Sequence, residues 1–374
     1  MAMSIVIDAR TATDHFPGIG RYVVNLSQAI RQIAPDLPIA LISDPFASGT
    51  RLALPHLPHV TCSASPFSLR QQWVVPRQLR RMGAGLYHSP YYLMPYRPGV
   101  PTVLTCYDLI PLLYPKYLGV AQRLIFRVAH SLALRTAAAI LSISQVTKGD
   151  LVRHFRIDPR KIVVTPLAAG ERFGPQSSER IAALRRKYVL PEEYALYLGS
   201  NKPHKNLVRL VQAWAVGGGD SSCAKLVIGG QWDSRFPEAG KVVEDLGLTD
   251  QVAFLGPVDE VDLPALYSGA ACFVFPSLYE GFGLPVLEAM ACRTPVACSN
   301  TSSLPEVAAD AALLFNPTSV ESIADALSRL LADLDLREDL RERGLRRAAC
   351  FTWAETAQQT RNVYQSIASV DTVG

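Results

Sequence analysis

Short apolar runs alternate with amphipathic segments along the whole chain of 374 residues. Such alternation favours parallel β-strands that are each followed by a helix covering the sheet. In the first half the runs predict strands at 4–8, 39–43, 84–88, 102–106, 139–142 and 161–165. In the second half they predict strands at 194–199, 224–229, 252–256, 272–276, 295–297 and 312–315. The pattern therefore predicts an α/β protein with two parallel sheets.

The two sets of strands are separated by residues 167–190, which mix glycine, proline, serine and charged residues. Apolar periodicity returns within this segment only in a short helical stretch at 178–188, so we expect the chain to cross between two domains here. From 320 to 369 the pattern predicts helices. The predicted division is 1–175 for the first domain, 176–352 for the second and 353–374 for a C-terminal helix.

Composition narrows the class of protein. Hydrophobic residues make up 49% and charged residues 19% of the chain, as in compact soluble proteins. A net charge of +4 is too small for a dedicated nucleic-acid binder, and no apolar run is long enough to span a bilayer. The start, MAMSIVIDAR, predicts a first strand and not a signal peptide, and the seven cysteines include no CxxC pair. We therefore expect a cytoplasmic protein without a nucleic-acid partner.

The segment EGFGLPVLE at 280–288 carries the clearest chemical signal. It follows an apolar run at 271–277 that predicts a short buried strand. Gly281 and Gly283 loosen the turn, and Pro285 suits the first turn of a helix. A strand, a glycine-rich turn and a helix start together form a place where backbone N–H groups and the helix dipole can bind an anion.

A carboxylate flanks this anion site on each side. Glu280 precedes the predicted helix, and Glu288 lies one turn inside it. A carboxylate accepts hydrogen bonds from two neighbouring hydroxyls at once. The arrangement therefore fits a nucleotide sugar, which has sugar hydroxyls, a diphosphate and ribose hydroxyls in that order. Taken alone, the spacing also fits two solvated glutamates at a helix start.

Two glutamates eight positions apart with glycines between them resemble the E-x7-E signature of the retaining glycosyltransferases of family 4. The resemblance implies the GT-B fold, with two Rossmann-like domains whose parallel sheets face a central cleft. It implies an acceptor site in the first domain, a nucleotide-sugar site in the second and a C-terminal helix that packs back on the first. Glu280 would contact the donor sugar and Glu288 the ribose. Further donor contacts are implied for Gly18, Gly20, Ser200, Gly256, Gly281, Phe282, Gly283 and Leu284.

The segment YLGSNKPHKN at 197–206 resembles the "G…PRKN" segment of the same family. The resemblance implies that Lys205 pairs with the donor diphosphate, where it would balance the charge that grows as the glycosyl bond breaks. Two positions depart from the family pattern. Ser200 stands where many relatives have arginine, and His204 replaces the arginine before the lysine. Lys202 is a candidate for the missing positive charge.

The segment PGIGRY at 17–22 follows the first strand and precedes an amphipathic helix. A dinucleotide fingerprint needs a third glycine, but Val23 occupies its place, so a dehydrogenase is not favoured. Family 4 enzymes have a similar GxG turn, which implies that Gly18 and Gly20 let the backbone approach the donor phosphates or the acceptor. A plain turn with a helix cap remains the alternative.

The segment LTCYDLIP at 104–111 resembles the family's "HDL.P" segment. Tyr107 occupies the histidine position, which puts a histidine role there in doubt, and Asp108 keeps the aspartate. We expect Asp108, with Glu280 and Lys205, to take part in catalysis, although a turn aspartate is the alternative for Asp108. Acceptor contacts are expected from Tyr107, His88 and Arg21.

Three further features carry weaker signals. Residues 252–258 resemble the family segment whose backbone reads the base, and the loop at 301–307 resembles the one after the next strand; both also fit ordinary loops. The triplet Asp333-Leu334-Asp335 lies in a charged helical run, so we expect a solvated helix face and no metal site. Segments 67–82 and 121–138 predict amphipathic helices with arginines on one face, which suits either solvent or an anionic membrane.

The motifs together predict a metal-independent, retaining hexosyltransferase that needs no cofactor. The GIGRY and DLIPLLYP segments resemble bacterial mannosyltransferases of polysaccharide assembly, which implies GDP-mannose as donor and a saccharide or lipid-linked saccharide as acceptor. Peripheral contact with the inner membrane face would suit such an acceptor. A UDP-sugar such as UDP-glucose is the alternative donor. A nucleotide-sugar epimerase or hydrolase and a non-catalytic nucleotide-sugar sensor are the rival functions.

Overall fold

A computed structural model describes residues 4–13, 17–44, 57–114, 117, 119–218 and 224–371. The chain forms two compact units. The first unit comprises residues 1–167 together with 352–374, and the second comprises residues 168–351. Each unit contains one parallel sheet with helices packed on it. The predicted α/β class with two parallel sheets is confirmed.

The sheet of the first unit has seven strands in the order β3-β2-β1-β4-β5-β6-β7, and every neighbouring pair is parallel. The strands are β1 (Ile5–Asp8), β2 (Ile39–Ser43), β3 (His59–Thr61), β4 (Leu86–Ser89), β5 (Thr102–Cys106), β6 (Ala139–Ser142) and β7 (Ile162–Val164). The central strands β1, β4 and β5 are buried along their whole length, because helices cover both faces of a parallel sheet.

The described helices of this unit are α1 (Pro17–Ile33), α2 (Gln71–Arg81), α3 (Ile110–Leu113), α4 (Val120–Thr136), α5 (Gln145–Phe155) and, from the end of the chain, α14 (Trp353–Asp371). Helix α14 packs against α1. The inner faces of α2 and α4 contribute Val75, Leu79, Phe126, Ala133 and Leu134 to the core.

The sheet of the second unit has six strands in the order β10-β9-β8-β11-β12-β13, again all parallel. They are β8 (Tyr194–Leu198), β9 (Lys225–Gly229), β10 (Val252–Gly256), β11 (Cys272–Phe275), β12 (Val296–Ser299) and β13 (Leu313–Phe315). The described α-helices are α6 (Ser178–Tyr188), α7 (Leu207–Ala213), α8 (Glu238–Asp245), α9 (Leu263–Ser268), α10 (Leu284–Ala291), α11 (Leu304–Ala308), α12 (Val320–Ala332) and α13 (Leu334–Ala349).

In both sheets the strand order reverses at one point, between β1 and β4 in the first unit and between β8 and β11 in the second. The loops that follow such a strand pair diverge to opposite faces of the sheet and leave a crevice at the carboxyl ends of the strands. In the second unit Lys205 follows β8 and Glu280 follows β11, so both lie at the switch point. In the first unit Gly18 follows β1, whereas Asp108 follows β5, the strand beside β4.

The predicted strands all correspond to observed strands, and their ends differ by at most two residues. The sequence pattern missed β3 (His59–Thr61), an edge strand of three residues. Its sequence, HVT, contains a single aliphatic residue, and the two flanking residues are exposed. An edge strand this short gives no apolar run, so the hydrophobic pattern could not reveal it.

Candidate active site

An ion pair joins the two central strand ends of the second unit. Lys205 ends a 3₁₀ turn (Pro203–Lys205) after β8, and Glu280 follows β11. The Lys205 Nζ atom donates a hydrogen bond to Glu280 Oε1 at 2.6 Å, and the two side chains are only 16% and 11% exposed. The same ammonium lies 5.3 Å from the centre of the Phe275 ring. The two residues that the sequence predicted for the donor sugar and diphosphate therefore lie in contact at the switch point.

The turn between Glu280 and α10 depends on a glycine at its last position. Gly283 has φ +118°, and a Cβ atom there would lie 2.7 Å from the Leu304 side chain. Any other residue would therefore strain the backbone and collide with α11. Helix α10 begins at the next residue with Pro285 in its first turn. Pro285 has no N–H, and the N–H groups of Val286 and Leu287 donate to the Gly283 carbonyl oxygen at 3.0 and 3.3 Å. The helix start therefore offers an anion the Leu284 N–H and the positive end of the helix dipole.

Two serines after β12 hold this turn in place. The Ser302 hydroxyl accepts a hydrogen bond from the Glu280 N–H at 3.1 Å and lies 2.6 Å from the Glu280 carbonyl oxygen. The Ser303 hydroxyl lies 2.6 Å from the carbonyl oxygen of Phe282. The sequence analysis left the loop at 301–307 undecided, and it missed these two positioning residues. The only signal was the run of small hydroxyl residues, TSS, directly after a strand.

Glu288 lies on the inner side of α10 and is only 4% exposed. The hydroxyl of Tyr267, in α9, donates a hydrogen bond to Glu288 Oε2 at 3.1 Å, which orients the carboxylate. Phe282 is also buried, and its ring packs edge-on against Phe351 at 5.8 Å. Only its backbone can therefore serve the predicted donor contact.

A cavity of about 380 Å³ lies at the ends of the other strands of this sheet. Gly199, Gly230, Gly256 and Trp232 are among its lining residues. Gly230 has φ +129°, and a Cβ atom there would approach the Gly199 carbonyl oxygen to 2.2 Å, so these two strand ends need glycine to lie side by side. The Trp232 ring packs edge-on against Phe254 at 5.1 Å and gives the cavity an aromatic wall.

The loop that carries Trp232 is pinned by Asn201, another lining residue of this cavity. The Asn201 Nδ2 group donates to the carbonyl oxygens of Asp233 and Phe236 at 2.9 and 2.7 Å, and its Oδ1 atom accepts from the Asp233 N–H. The Tyr197 hydroxyl donates a hydrogen bond to the carbonyl oxygen of the neighbouring Ser200 at 2.8 Å. The sequence analysis quoted Asn201 within the motif but gave it no role.

The two departures from the family pattern have physical consequences. His204 is buried, and burial together with the nearby charges of Lys205 and Lys202 lowers its pKa to about 3. It is therefore neutral near pH 7 and does not replace the charge of an arginine. Its carbonyl oxygen accepts the Leu278 N–H at 2.7 Å, which ties the lysine turn to the loop after β11. Lys202 is exposed at the start of the 3₁₀ turn.

The strand ends of the first unit surround a cavity of about 390 Å³ with mainly aromatic walls. Its lining residues include Gly18, Ile19, Tyr91, Tyr92, Tyr107, Asp108, Phe126 and His130. The rings of Tyr92 and His130 stack at 3.8 Å. Asp108 Oδ1 accepts the Ile110 N–H at 2.9 Å and so caps α3. The Tyr107 hydroxyl is buried and has no hydrogen-bond partner among the described residues.

The predicted GxG turn lies inside a helix. Helix α1 begins at Pro17, so Gly18 and Gly20 belong to its first turn and not to a loop before it. Proline suits this first position because its fixed φ matches the helix and its missing N–H has no partner there anyway. Gly18 lines the cavity of the first unit, while Gly20 is buried and Arg21 is half-buried along the same helix. Their donor and acceptor roles stay predictions.

His88 has a structural position. It is fully buried in β4, where Nδ1 lies 2.6 Å from the Tyr364 hydroxyl and Nε2 lies 2.8 Å from Thr105 Oγ1. Burial lowers the pKa of His88 to about 3. Both ring nitrogens are therefore used within the protein. His88 therefore joins β4 to α14, and its predicted acceptor contact stays a prediction.

The described residues contain no group of three or more His, Cys, Asp or Glu side chains that could hold a metal ion. In the DLD triplet, Asp333 caps helix α13 by accepting the Leu336 N–H at 2.9 Å, and Asp335 is exposed in its first turn. The predicted solvated helix terminus is confirmed, whereas metal independence stays a prediction. None of the described helices combines the length and apolar character needed to cross a bilayer.

Comparison with known proteins identifies the class. The family model described as glycosyl transferases group 1 matches residues 180–347, and that of Glycosyltransferase Family 4 matches residues 17–168. The chain belongs to the family 4 glycosyltransferases. O-antigen chain mannosyltransferase B of Escherichia coli is 35% identical over 299 residues, which are 79% of this chain and 77% of that protein.

Two further proteins extend the comparison. The serotype-specific mannosyltransferase WbdA of Escherichia coli is 34% identical over 273 residues, 68% of this chain, and the match spans only 32% of that longer protein. Sucrose-phosphate synthase from Thermosynechococcus elongatus superimposes with a TM-score of 0.78 at 24% identity, over 98% of this chain and 100% of that one. The predicted GT-B fold and glycosyltransferase class are confirmed.

Proposed function

We propose that this chain is a retaining mannosyltransferase that moves mannose from GDP-mannose to a saccharide acceptor during assembly of a bacterial surface polysaccharide. The ion pair between Lys205 and Glu280 at the switch point carries the proposal, because it puts a cation and a hydroxyl acceptor side by side. The mannosyltransferase names of the E. coli relatives support the choice of sugar.

The donor site is in the second unit. The diphosphate lies between Lys205 and the N-terminal end of α10, where the helix dipole and the lysine charge balance it. Glu280 then accepts hydrogen bonds from the mannose hydroxyls, and Glu288, held by Tyr267, accepts them from the ribose. The cavity with Trp232 and Gly256 in its lining takes the base. An aromatic wall suits this role because bases stack on aromatic side chains.

Transfer occurs on one face of the sugar. The bond between the sugar C1 atom and the leaving phosphate oxygen breaks while the acceptor oxygen bonds to C1 from the same side. The leaving oxygen takes the acceptor's proton, so no protein base is required. Negative charge on the diphosphate is largest at this point, and Lys205 stabilises it. No cofactor takes part.

The acceptor site is the aromatic cavity of the first unit. Sugar rings have apolar faces that pack on aromatic rings such as Tyr91 and Tyr92. Asp108 offers an acceptor for sugar hydroxyls, and the Tyr107 hydroxyl, which has no partner within the described part of the chain, offers a donor. A saccharide that satisfies the buried Tyr107 hydroxyl also removes the cost of leaving it without a hydrogen bond. We propose further that the saccharide is lipid-linked and that the enzyme works at the inner membrane face.

A donor panel tests this function. The purified protein is incubated with a mannose-containing oligosaccharide and, in turn, GDP-mannose, GDP-glucose, UDP-glucose and UDP-galactose, and the products are analysed by mass spectrometry and NMR. We expect transfer from GDP-mannose with the α configuration retained. Faster transfer from UDP-glucose, or a β-linked product, would contradict the proposal. An altered sugar from donor alone would indicate an epimerase or hydrolase, and binding without turnover would indicate a sensor.

A further inference from the structure

The outer face of α4 is apolar although it faces solvent. Phe126, Ala133 and Leu134 point into the core from the inner face. On the opposite face, four aliphatic residues follow one another at four-residue spacing, with a fifth beside them, and all are between 41% and 76% exposed: Val120, Leu124, Val128, Leu132 and Ile125. A helix that is apolar on both faces is normally covered on both. A contiguous exposed stripe of this kind marks an interaction site.

A second exposed apolar group borders the same cavity from another side. Phe67 and Leu69, just before α2, and Trp73, in its first turn, are 61%, 77% and 66% exposed. The Phe67 ring contacts Tyr91 edge-on at 6.4 Å, and Tyr92 next to it contacts Phe126 of α4 at 5.1 Å. We call these three exposed residues, together with the five exposed aliphatic residues of α4, the outer apolar surface. It flanks the cavity that is proposed to hold the acceptor saccharide.

The charge around this surface identifies its partner. Residues 45–149 contain eleven lysines and arginines but a single carboxylate, Asp108, in a chain whose net charge is only +4. Asp108 itself lines the cavity. Exposed arginines of this segment lie on α4 and on or beside α2: Arg127, Arg135, Arg70, Arg77, Arg80 and Arg81. Basic and apolar side chains therefore share one surface in a segment that contains a single carboxylate. Such a surface matches a partner with an anionic outer layer and an apolar interior.

We propose that the outer apolar surface inserts into the headgroup layer of an anionic phospholipid bilayer. Leu124, Val128 and their neighbours enter the apolar boundary, and the arginines contact lipid phosphates. Because Phe126 and His130 line the acceptor cavity from the other face of the same helix, insertion brings that cavity to the membrane surface. A saccharide carried on a lipid then reaches it without leaving the bilayer. The proposed membrane binding does not rest on the proposed function. Only the statement that the cavity receives a lipid-linked saccharide rests on it.

Vesicle flotation tests the proposal. The wild type, a Leu124→Ser/Val128→Ser variant and a Val189→Ser/Val261→Ser control are mixed with phosphatidylcholine vesicles, with or without phosphatidylglycerol. The control removes two exposed valines of the second unit, 90% and 62% exposed. We expect the wild type and the control to float with the anionic vesicles, and partitioning of the α4 variant to fall about tenfold or more. Added salt should weaken binding, because part of the attraction is electrostatic.

Equal flotation of the α4 variant and the wild type would overturn the proposal, and so would binding that is the same without phosphatidylglycerol. If the wild type is a dimer in solution, the α4 variant is a monomer and neither binds vesicles, a second copy of the chain covers this surface.

Trp73 allows a second test that needs no α4 variant. Brominated lipid should quench wild-type tryptophan fluorescence and quench Trp73→Phe less; equal quenching would contradict insertion. Turnover with a water-soluble acceptor should be unchanged in the α4 variant. This activity measurement does not depend on membrane binding, so it tests the proposed function separately.

Discussion

The two sheets end in surfaces of different chemistry, although their topologies are alike. At the switch point of the second unit, Lys205 and Glu280 form an ion pair and Gly283 shapes a turn before a helix start. At the switch point of the first unit, aromatic rings surround a cavity, and Asp108 contributes a carboxylate to it. A diphosphate requires fixed charges and N–H groups, whereas a saccharide requires ring surfaces and a few polar atoms. This difference is the reason for proposing that each unit binds one substrate.

Removal of the Lys205 charge should have the largest effect on the activity of the proposed donor site. In Lys205→Met, turnover should fall by about two to three orders of magnitude, while donor affinity changes less, because the diphosphate charge is greatest in the transition state. Steady-state kinetics with GDP-mannose measures both. Lys202→Met is the matched control, since Lys202 is exposed only three residues away. A change confined to KM would show that Lys205 acts only on the bound ground state.

Acid should destabilise the first unit more than the second. Burial lowers the pKa of His88 and His130 in the first unit to about 3, as it does with nearby lysine charges for His204 in the second. The unfolded chain binds these protons near pH 6.5, so stability is full above that pH and is lost as the pH falls toward 3. Between pH 7 and pH 5 each buried histidine should cost about 2 kcal/mol.

Urea unfolding at pH 7 and pH 5 checks this expectation. The variant His130→Phe keeps an aromatic ring against Tyr92 and should lose about 2 kcal/mol of the pH dependence. The same stability of the wild type at both pH values would contradict the assignment of neutral buried histidines.

The two glutamates of the donor side should differ from each other. Glu288→Gln should weaken free GDP and GDP-mannose alike, by about tenfold, because the ribose belongs to both. Glu280→Gln should spare free GDP and slow transfer by about tenfold, because its partner is the sugar. Calorimetric titration with both ligands separates the two roles. Equal losses of GDP affinity in the two variants would remove the proposed division.

Removal of divalent metal ions by EDTA should have the smallest effect on the transfer rate. The proposed phosphate site balances charge with Lys205 and the positive N-terminal end of α10, so transfer should continue at an unchanged rate in excess EDTA. The rate is measured before and after addition of EDTA and again after magnesium or manganese is supplied. Activity that disappears with EDTA and returns with the metal would contradict this phosphate site.

The candidate residues of the donor site could be selected from the sequence because they lie in two short segments, 197–206 and 280–288. Charged groups next to glycines after an apolar run form a local pattern, and parallel strands bring their ends to one edge. The supports of that site could not be predicted in the same way. Ser302 and Tyr267 act through contacts that join distant loops, and such residues look ordinary in the sequence.

The first unit was harder to predict for the same reason. Its cavity is assembled from segments around residues 18, 91, 107 and 130, and most of its lining is aromatic or apolar. Aromatic residues usually indicate core, so the pattern gave no function to Tyr91, Tyr92 and Phe126. Helix α4 illustrates the limit: the sequence analysis noticed its arginines but not its outer apolar stripe, because apolar residues on both faces of a helix hide the periodicity that marks an exposed surface.

Binding of GDP-mannose to wild type, Asp108→Asn and Trp232→Ala tests the central claim, that the donor belongs to the second unit and the acceptor to the first. One calorimetric titration series gives the three dissociation constants. The account predicts an unchanged constant for Asp108→Asn and an affinity about tenfold weaker for Trp232→Ala, since stacking of one base contributes about 1–3 kcal/mol. A clear loss in Asp108→Asn, with Trp232→Ala unaffected, would contradict the division of the two substrates between the two units.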